Sequence, residues 1–163
     1  TDPNSVEEAG TGFSPMSRPD LRDKVHDQVQ RAVKHGDQLL TGGNKVGETY
    51  YEPTVLKVRD DSSPAWREEI FGPVFVVRSF SNEGEALSMA NDTEYGLSAS
   101  VYSQDEQRGL EFAKNIESGM VHLNDTSPSD DPCLAFGGNK NSGMGRNNFR
   151  FFTNQQSFMI HKN

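Results

Sequence analysis

Apolar positions recur at helical spacing once, early in the chain, and then give way to short extended runs. Leu21, Val25, Val29, Ala32 and Val33 share one face at a 3.6-residue period, which predicts an amphipathic helix. Ser17 is placed to cap it, Pro19 suits its first turn, Asp20 follows, and Gly36 stops it. Leu39-Leu40-Thr41 before Gly42-Gly43 predicts a short strand and turn. Tyr50 to Val58 is a second extended region, which Pro53 restricts to an edge or a strand start. Val74 to Phe80 is the strongest strand signal. It is apolar almost throughout, as a strand covered on both faces would be.

Beyond it the pattern alternates. Glu83 to Ala90 predicts a short helix and Ser98 to Tyr102 a strand. A helix capped by Asp105 follows from Glu106 to Asn115, with Leu110, Phe112, Ala113 and Ile116 available for its buried side. Gly119 supplies a turn before a strand from Met120 to Leu123. Strand–helix–strand–helix–strand implies an α/β fold with right-handed crossovers and a parallel sheet. Asn124 to Pro132 is then a long polar loop leaving a strand end, where open α/β sheets place their ligands. Residues 1–16 form a loop or arm, 17–154 the body of the fold, and 155–163 a last strand, centred on Ser157 to His161. No internal repeat is visible.

Composition narrows the partners. The chain has 163 residues, enough for a domain with its own core, but only 33% are apolar. A fragment that packs against a missing partner has this character, and so does a protein with an acidic surface. The net charge of −8 is spread along the chain and argues against nucleic acid or an anionic membrane, both of which require clustered Lys and Arg. The single cysteine, Cys133, allows no internal disulfide, and no Cys/His spacing suggests zinc. A reducing, cytoplasmic setting fits. No apolar run reaches the length of a membrane span and no signal-peptide pattern opens the chain. Its start at Thr1 suits an excised segment as well as a chosen boundary.

Two segments carry chemistry. In the first, WREEIFGPV from Trp66 to Val74, Gly72-Pro73 makes a rigid turn edged by Glu68, Glu69 and Phe71. Taken alone this is a surface turn with an anchoring aromatic. The second is AFGGNKNSGMGR from Ala135 to Arg146. It is neither a P-loop nor a GxGxxG turn, and its glycines suit a tight irregular loop with positive φ. Cys133 has no adjacent histidine to activate it. His26, His35, His122 and His161 show no metal-ligand spacing.

Together these segments resemble the NAD(P)-dependent aldehyde dehydrogenases, and the match runs from near Asp2 to the C-terminus. The resemblance implies the C-terminal part of the catalytic domain. In that family the nucleophilic cysteine, the general-base glutamate, the oxyanion asparagine and the dinucleotide-binding glycines all lie upstream, so no catalytic residue is expected here and Cys133 takes a pocket-rim or structural role. The family's EEIFGP motif assigns Glu69 to the hydroxyls of the nicotinamide-side ribose and Phe71 to the nicotinamide ring of NAD or NADP. Glu68 is left a structural role. Phe136, with Leu134, would line the substrate tunnel, although Ala135 stands where the family usually has proline. Asn124 matches a family asparagine that holds the neighbouring backbone.

The implied parent oxidises a small-molecule aldehyde to a carboxylic acid through a cysteine thiohemiacetal and a thioester. GMVHLND and Asp130-Asp131-Pro132 resemble the benzaldehyde and vanillin branch. After Arg146 the chain is several residues shorter than the family pattern, although Phe152-Thr153 still fits its FT element. The closing strand corresponds to a segment that pairs between subunits, which implies a homo-oligomer. Two alternatives stand beside this reading. One is a non-enzymatic association module using an open sheet edge. The other is the group of related semialdehyde and acyl-phosphate-forming enzymes, which share the fold but for which weaker agreement is expected in the EEIFGP and SG-x-GR segments.

Overall fold

The computed structural model describes residues 14–128, 134 and 136–143. The chain divides into two compact units between Ser79 and Phe80. Residues 1–13 of the N-terminal arm, Cys133, the segment after Gly143 and the closing strand read over Ser157 to His161 lie outside the described residues.

The first unit opens with α1, Pro19–His35. Its N-cap is Arg18 rather than Ser17, with no side-chain cap; the Arg18 guanidinium instead pairs with Asp20. Pro19 enters at the first turn and Gly36 closes the helix at φ 113°, a conformation that costs glycine nothing. Strands β1 (Gln38–Thr41), β2 (Lys45–Val46), β3 (Tyr50–Tyr51) and β4 (Thr54–Lys57) follow, then the short helix α2 (Pro64–Arg67) and β5 (Val74–Val77). The sheet order is β1-β4-β5. β1 runs antiparallel to β4 and β4 parallel to β5, so the sheet is mixed rather than wholly parallel. β2 and β3 form a separate antiparallel pair. Pro53 stands just before β4, where its missing N–H breaks no ladder.

Val25, Val29 and Ala32 of α1 pack with Tyr51, Leu56, Val58 and Ala65, and with the partly buried Trp66, Ile70, Val74 and Val76. Among the described residues of this unit, β5 is therefore covered on one face. Val74 and Val76 face the core, while Phe75 and Val77 are exposed at 56% and 40%. The double coverage read from its continuous apolar run is not met, because within this unit the core lies on one side of the sheet. β5 also ends at Val77, short of Phe80: Arg78 leaves the strand to pair with Asp61 and to lie over the Trp66 ring.

The second unit contains α3 (Glu83–Asn91), β6 (Tyr95–Gly96), β7 (Ser98–Val101), α4 (Glu106–Ala113), β8 (Met120–Leu123) and β9 (Asn139–Lys140). β7 and β8 pair in parallel across α4, as a βαβ unit requires. Asn82 caps α3 and Asp105 caps α4, each accepting a backbone N–H three residues on. Gly109 and Ala113 are the buried residues of α4, whereas Leu110, read as buried, is 44% exposed. Gly109 meets Leu123 so closely that an added Cβ would lie 2.7 Å from Leu123 Cδ1. This close approach brings β8 under the helix, and a larger side chain at 109 would separate them. Among the described residues no helix is long and apolar enough to cross a membrane.

Candidate functional site

In the first unit, α2 delivers the chain into the Glu68–Pro73 turn. Ser63 caps α2 by accepting from Ala65 N, and its own buried hydroxyl donates to Asp37. After Arg67 the backbone becomes extended. Ile70 turns toward the core, whereas Glu69 and Phe71 are exposed, Phe71 at 71%. Gly72 lies against α1: a Cβ there would sit 2.7 Å from Val25 Cγ2. The turn is thus fixed by the core beneath it, with Glu69 and Phe71 presented to solvent.

The two adjacent glutamates divide their tasks. Glu68 is consumed by α1. Arg31 donates to both its oxygens, at 2.6 and 2.7 Å, and Gln28 donates to Oε2 at 3.1 Å. The Arg31 hydrogen bonds hold the Glu68 carboxyl down at about 2. The structural role read for Glu68 is what the geometry shows. Among the described residues the Glu69 carboxylate has no hydrogen-bond or ion-pair partner, so all its acceptor capacity is open.

A pH dependence follows. The folded Glu68 carboxyl lies below its ordinary 4.5, so its contribution to stability is complete above that value and is lost as pH falls toward 2. Asp60 titrates low in the same window, held down by Ser62 and His35. Comparing Arg31→Met with the parent isolates Glu68. The variant should lose less stability on acidification, by under about 1 kcal/mol because the pair is exposed. Urea midpoints measured across that range check it; parallel curves for the two proteins would contradict the assignment.

The second unit holds Leu134 and Phe136, and both are exposed, at 69% and 46%. The loop that follows Phe136 is tied down at several points. Asn139 and Lys140 pair antiparallel with Gly96 and Tyr95. Lys140 Nζ donates to the carbonyls of Asn91 and Thr93 and pairs with Glu117 at 2.8 Å. Ser142 Oγ accepts from Gly96 N at 3.0 Å. The lysine and serine of this motif are thus loop anchors, a role the sequence reading missed. Positive φ does not explain Gly137 and Gly138: among the described glycines of the motif only Gly143 has it. Close approach explains Gly138 and, just before β8, Gly119. A Cβ on Gly138 would fall 2.7 Å from Ser142 backbone oxygen, and one on Gly119 would fall 1.8 Å from Gly137 oxygen.

Asn124, at φ 57°, accepts from Ser103 N and donates to Ser103 O at 2.8 and 3.0 Å. It holds the neighbouring backbone as expected. His122 stands opposite Ser100 in the β7–β8 register, and among the described residues its buried Nε2 has no hydrogen-bond partner. Glu69 and Phe71 belong to one unit, Leu134 and Phe136 to the other.

The comparisons with known proteins agree with this picture. The model of the aldehyde dehydrogenase family matches residues 3–158. The NAD(P)+ succinate semialdehyde dehydrogenase of Escherichia coli (strain K12) is 42% identical over 147 residues, covering 89% of this chain and 31% of that protein. The benzaldehyde dehydrogenase of Bacillus subtilis (strain 168) is 41% identical over 138 residues, 85% of this chain and 28% of that protein. The succinic semialdehyde dehydrogenase of Streptococcus pyogenes, solved in complex with NADP+ as the cofactor, superposes with a TM-score of 0.77 at 35% identity. It covers 81% of this chain and 29% of that one. Overall identity to the semialdehyde enzyme and to the benzaldehyde enzyme is nearly equal. The chain spans about 30% of the length of the curated relatives it matches. By family model, sequence identity and an α/β fold shared with solved members, the chain belongs to the aldehyde dehydrogenase family.

Proposed function

We propose that this chain is the C-terminal catalytic-domain portion of an NAD(P)-dependent aldehyde dehydrogenase. In this reading Glu69 and Phe71 meet the nicotinamide half of the cofactor, and Phe136 with Leu134 faces the aldehyde. The observation that carries it is the contrast at the EEIFGP turn, where Glu68 is bound to α1 while Glu69 and Phe71 stand free above a fixed backbone.

The residues fit the group. A carboxylate with its acceptors unoccupied suits the two vicinal hydroxyls of a ribose, and an exposed phenyl ring suits a planar heterocycle. When bound, the nicotinamide supplies the hydride acceptor. Glu69 orients the ribose and thereby limits the ring's swing, and Phe71 excludes water from one side. The nucleophile and base come from outside the chain in this reading, and Cys133 takes no part. An aromatic aldehyde suits Phe136 and Leu134, and a semialdehyde is the competing substrate class. The single cysteine suits a reducing, cytoplasmic setting, and assembly as a homo-oligomer belongs to the same reading.

The test is Glu69→Gln in the complete polypeptide that carries this segment. Hydride transfer, followed by absorbance of the reduced nicotinamide, should fall about tenfold, since an amide replaces one charged acceptor. Cofactor affinity should fall less. Unchanged turnover would remove Glu69 from the site. The 163-residue chain alone, given NAD and benzaldehyde, should give no turnover. Turnover would return the nucleophile's role to Cys133.

A second reading, an association module, is favoured by the exposed Phe75 and Val77 on β5 and, on the other outer strand β1, by Leu39 and Leu40, exposed at 38% and 50%. It expects the chain to self-associate reversibly without cofactor, which sedimentation would register as mass rising with concentration.

A further inference from the structure

We propose that Gln28 and Arg31 of α1 are positioning residues that hold the Glu69–Phe71 segment in the conformation that meets the cofactor. The proposal rests on the reading of Glu69 and Phe71 given above and adds the device that sets their geometry.

Val25, Gln28 and Arg31 follow one another at three-residue spacing along one side of α1, and each grips a different part of the turn. Val25 meets Gly72. The Gln28 side-chain nitrogen donates at once to Glu68 Oε2 at 3.1 Å and to the backbone carbonyl of Glu69 at 3.2 Å. Arg31 engages both oxygens of Glu68 and is itself steadied by Asp27 at 2.9 Å, one turn earlier. The helix therefore holds the side chain of residue 68, the carbonyl of residue 69 and the backbone of residue 72.

Fixing the Glu69 carbonyl fixes the peptide plane between Glu69 and Ile70. That plane decides which way the Glu69 carboxylate and the Phe71 ring leave the backbone. Two features mark this as more than packing. Gln28 is 4% exposed among Val25, Val29 and Ala32, a position that an aliphatic residue would fill at no desolvation cost. Its amide is accounted for by the two acceptors of the turn. Arg31 and Glu68 are both substantially exposed, so their pairing contributes little to stability, whereas two parallel hydrogen bonds define an orientation.

The experiment uses Gln28→Met, Arg31→Met and Arg31→Lys in the complete polypeptide. Lysine keeps the charge and the folded state but cannot make the two-point contact. In the ligand-free protein, the amides of Glu68 and Gly72, which donate to Pro64 O and Ile70 O, should exchange faster in all three variants while those of Leu56 and its strand stay as in the parent. With NAD bound, single-turnover hydride transfer should drop about tenfold, with the dissociation constant for NAD changed by less than about threefold. Adding Glu69→Gln to any of them should bring less further loss than Glu69→Gln brings alone, because the clamp acts in part through Glu69. Parent-like exchange at Glu68 and Gly72, or losses that add fully to those of Glu69→Gln, would overturn the positioning role alone. Unchanged hydride transfer in Glu69→Gln by itself would overturn the cofactor reading and the positioning role with it.

Discussion

Truncating Leu56 to alanine is expected to lower the stability of the first unit by about 3 kcal/mol or more. Leu56 is fully buried and lies in β4, the middle strand of the β1-β4-β5 sheet. It is bonded to neighbours on both sides, paired with Leu39 across one ladder and with Val76 across the other. A central strand cannot slide inward to fill the space, so the cavity term remains on top of the lost transfer energy. Val25, Val29, Val58 and Ala65, which share the cluster of Leu56, are too short to reach across the hole. Domains of this kind have only about 5–15 kcal/mol in hand, so the loss is a large share of the whole. Trp66 is the chain's single tryptophan and packs against this core, which makes its fluorescence a direct reporter. Urea unfolding should show a lower midpoint with an unchanged slope. A loss below about 1 kcal/mol would mean that the core is not built around β4. The same core seats Ile70, so the truncation also loosens the footing of Glu69 and Phe71.

Local chemistry made much of this legible from sequence. α1 could be read because its valines keep helical period, Pro19 opens it and Gly36 closes it. α4 could be read because Asp105 is a strong cap. The parallel pairing of β7 and β8 follows from the helix between them. What escaped depended on contacts distant in sequence. The run Val74 to Phe80 carries no mark of which face is covered, since valine and phenylalanine suit either side, and the answer lies in where α1 packs. The short helix α2 was not expected: Ser63-Pro64 is a cap followed by a first-turn proline, but four residues are too few to carry a helical period. At the EEIFGP turn the residues by themselves offer two equivalent carboxylates, and only the family resemblance assigns them different tasks. The physical cause is the reach of Gln28 and Arg31, about forty residues away, which binds Glu68 and leaves the Glu69 carboxylate open among the described residues. The glycines of the Phe136 loop were read as relief for positive φ, when the constraint on Gly138 and Gly119 is backbone approaching backbone.

That last constraint gives the second large effect. Gly119→Ala is expected to displace the Phe136 loop and to cost the second unit about 3 kcal/mol. The added methyl would lie 1.8 Å from Gly137 oxygen, 2.7 Å from its carbon and 2.9 Å from Gly138 Cα. All three are backbone atoms, so no rotamer change relieves the overlap. Gly119 cannot retreat easily either, because its N–H donates to Gly96 O at 2.9 Å and β8 begins at the next residue. The loop must therefore move, and with it the short β6–β9 pairing and the Ser142 bond to Gly96. Gly84→Ala is the control: its methyl meets only Asn82 Oδ1, at 3.3 Å, in the first turn of α3, and it should stay within about 1 kcal/mol of the parent. Amide exchange is the measurement. The amides of Gly96, Asn141 and Ser142 should lose protection in Gly119→Ala, while those of β4 in the first unit keep theirs. If the Phe136 loop faces the aldehyde as proposed, KM for the aldehyde in the complete polypeptide should rise in the same variant. Protection equal to the parent at Gly96 and Ser142 would mean that the loop does not rest against Gly119, and the anchoring assigned to the glycine motif would fall.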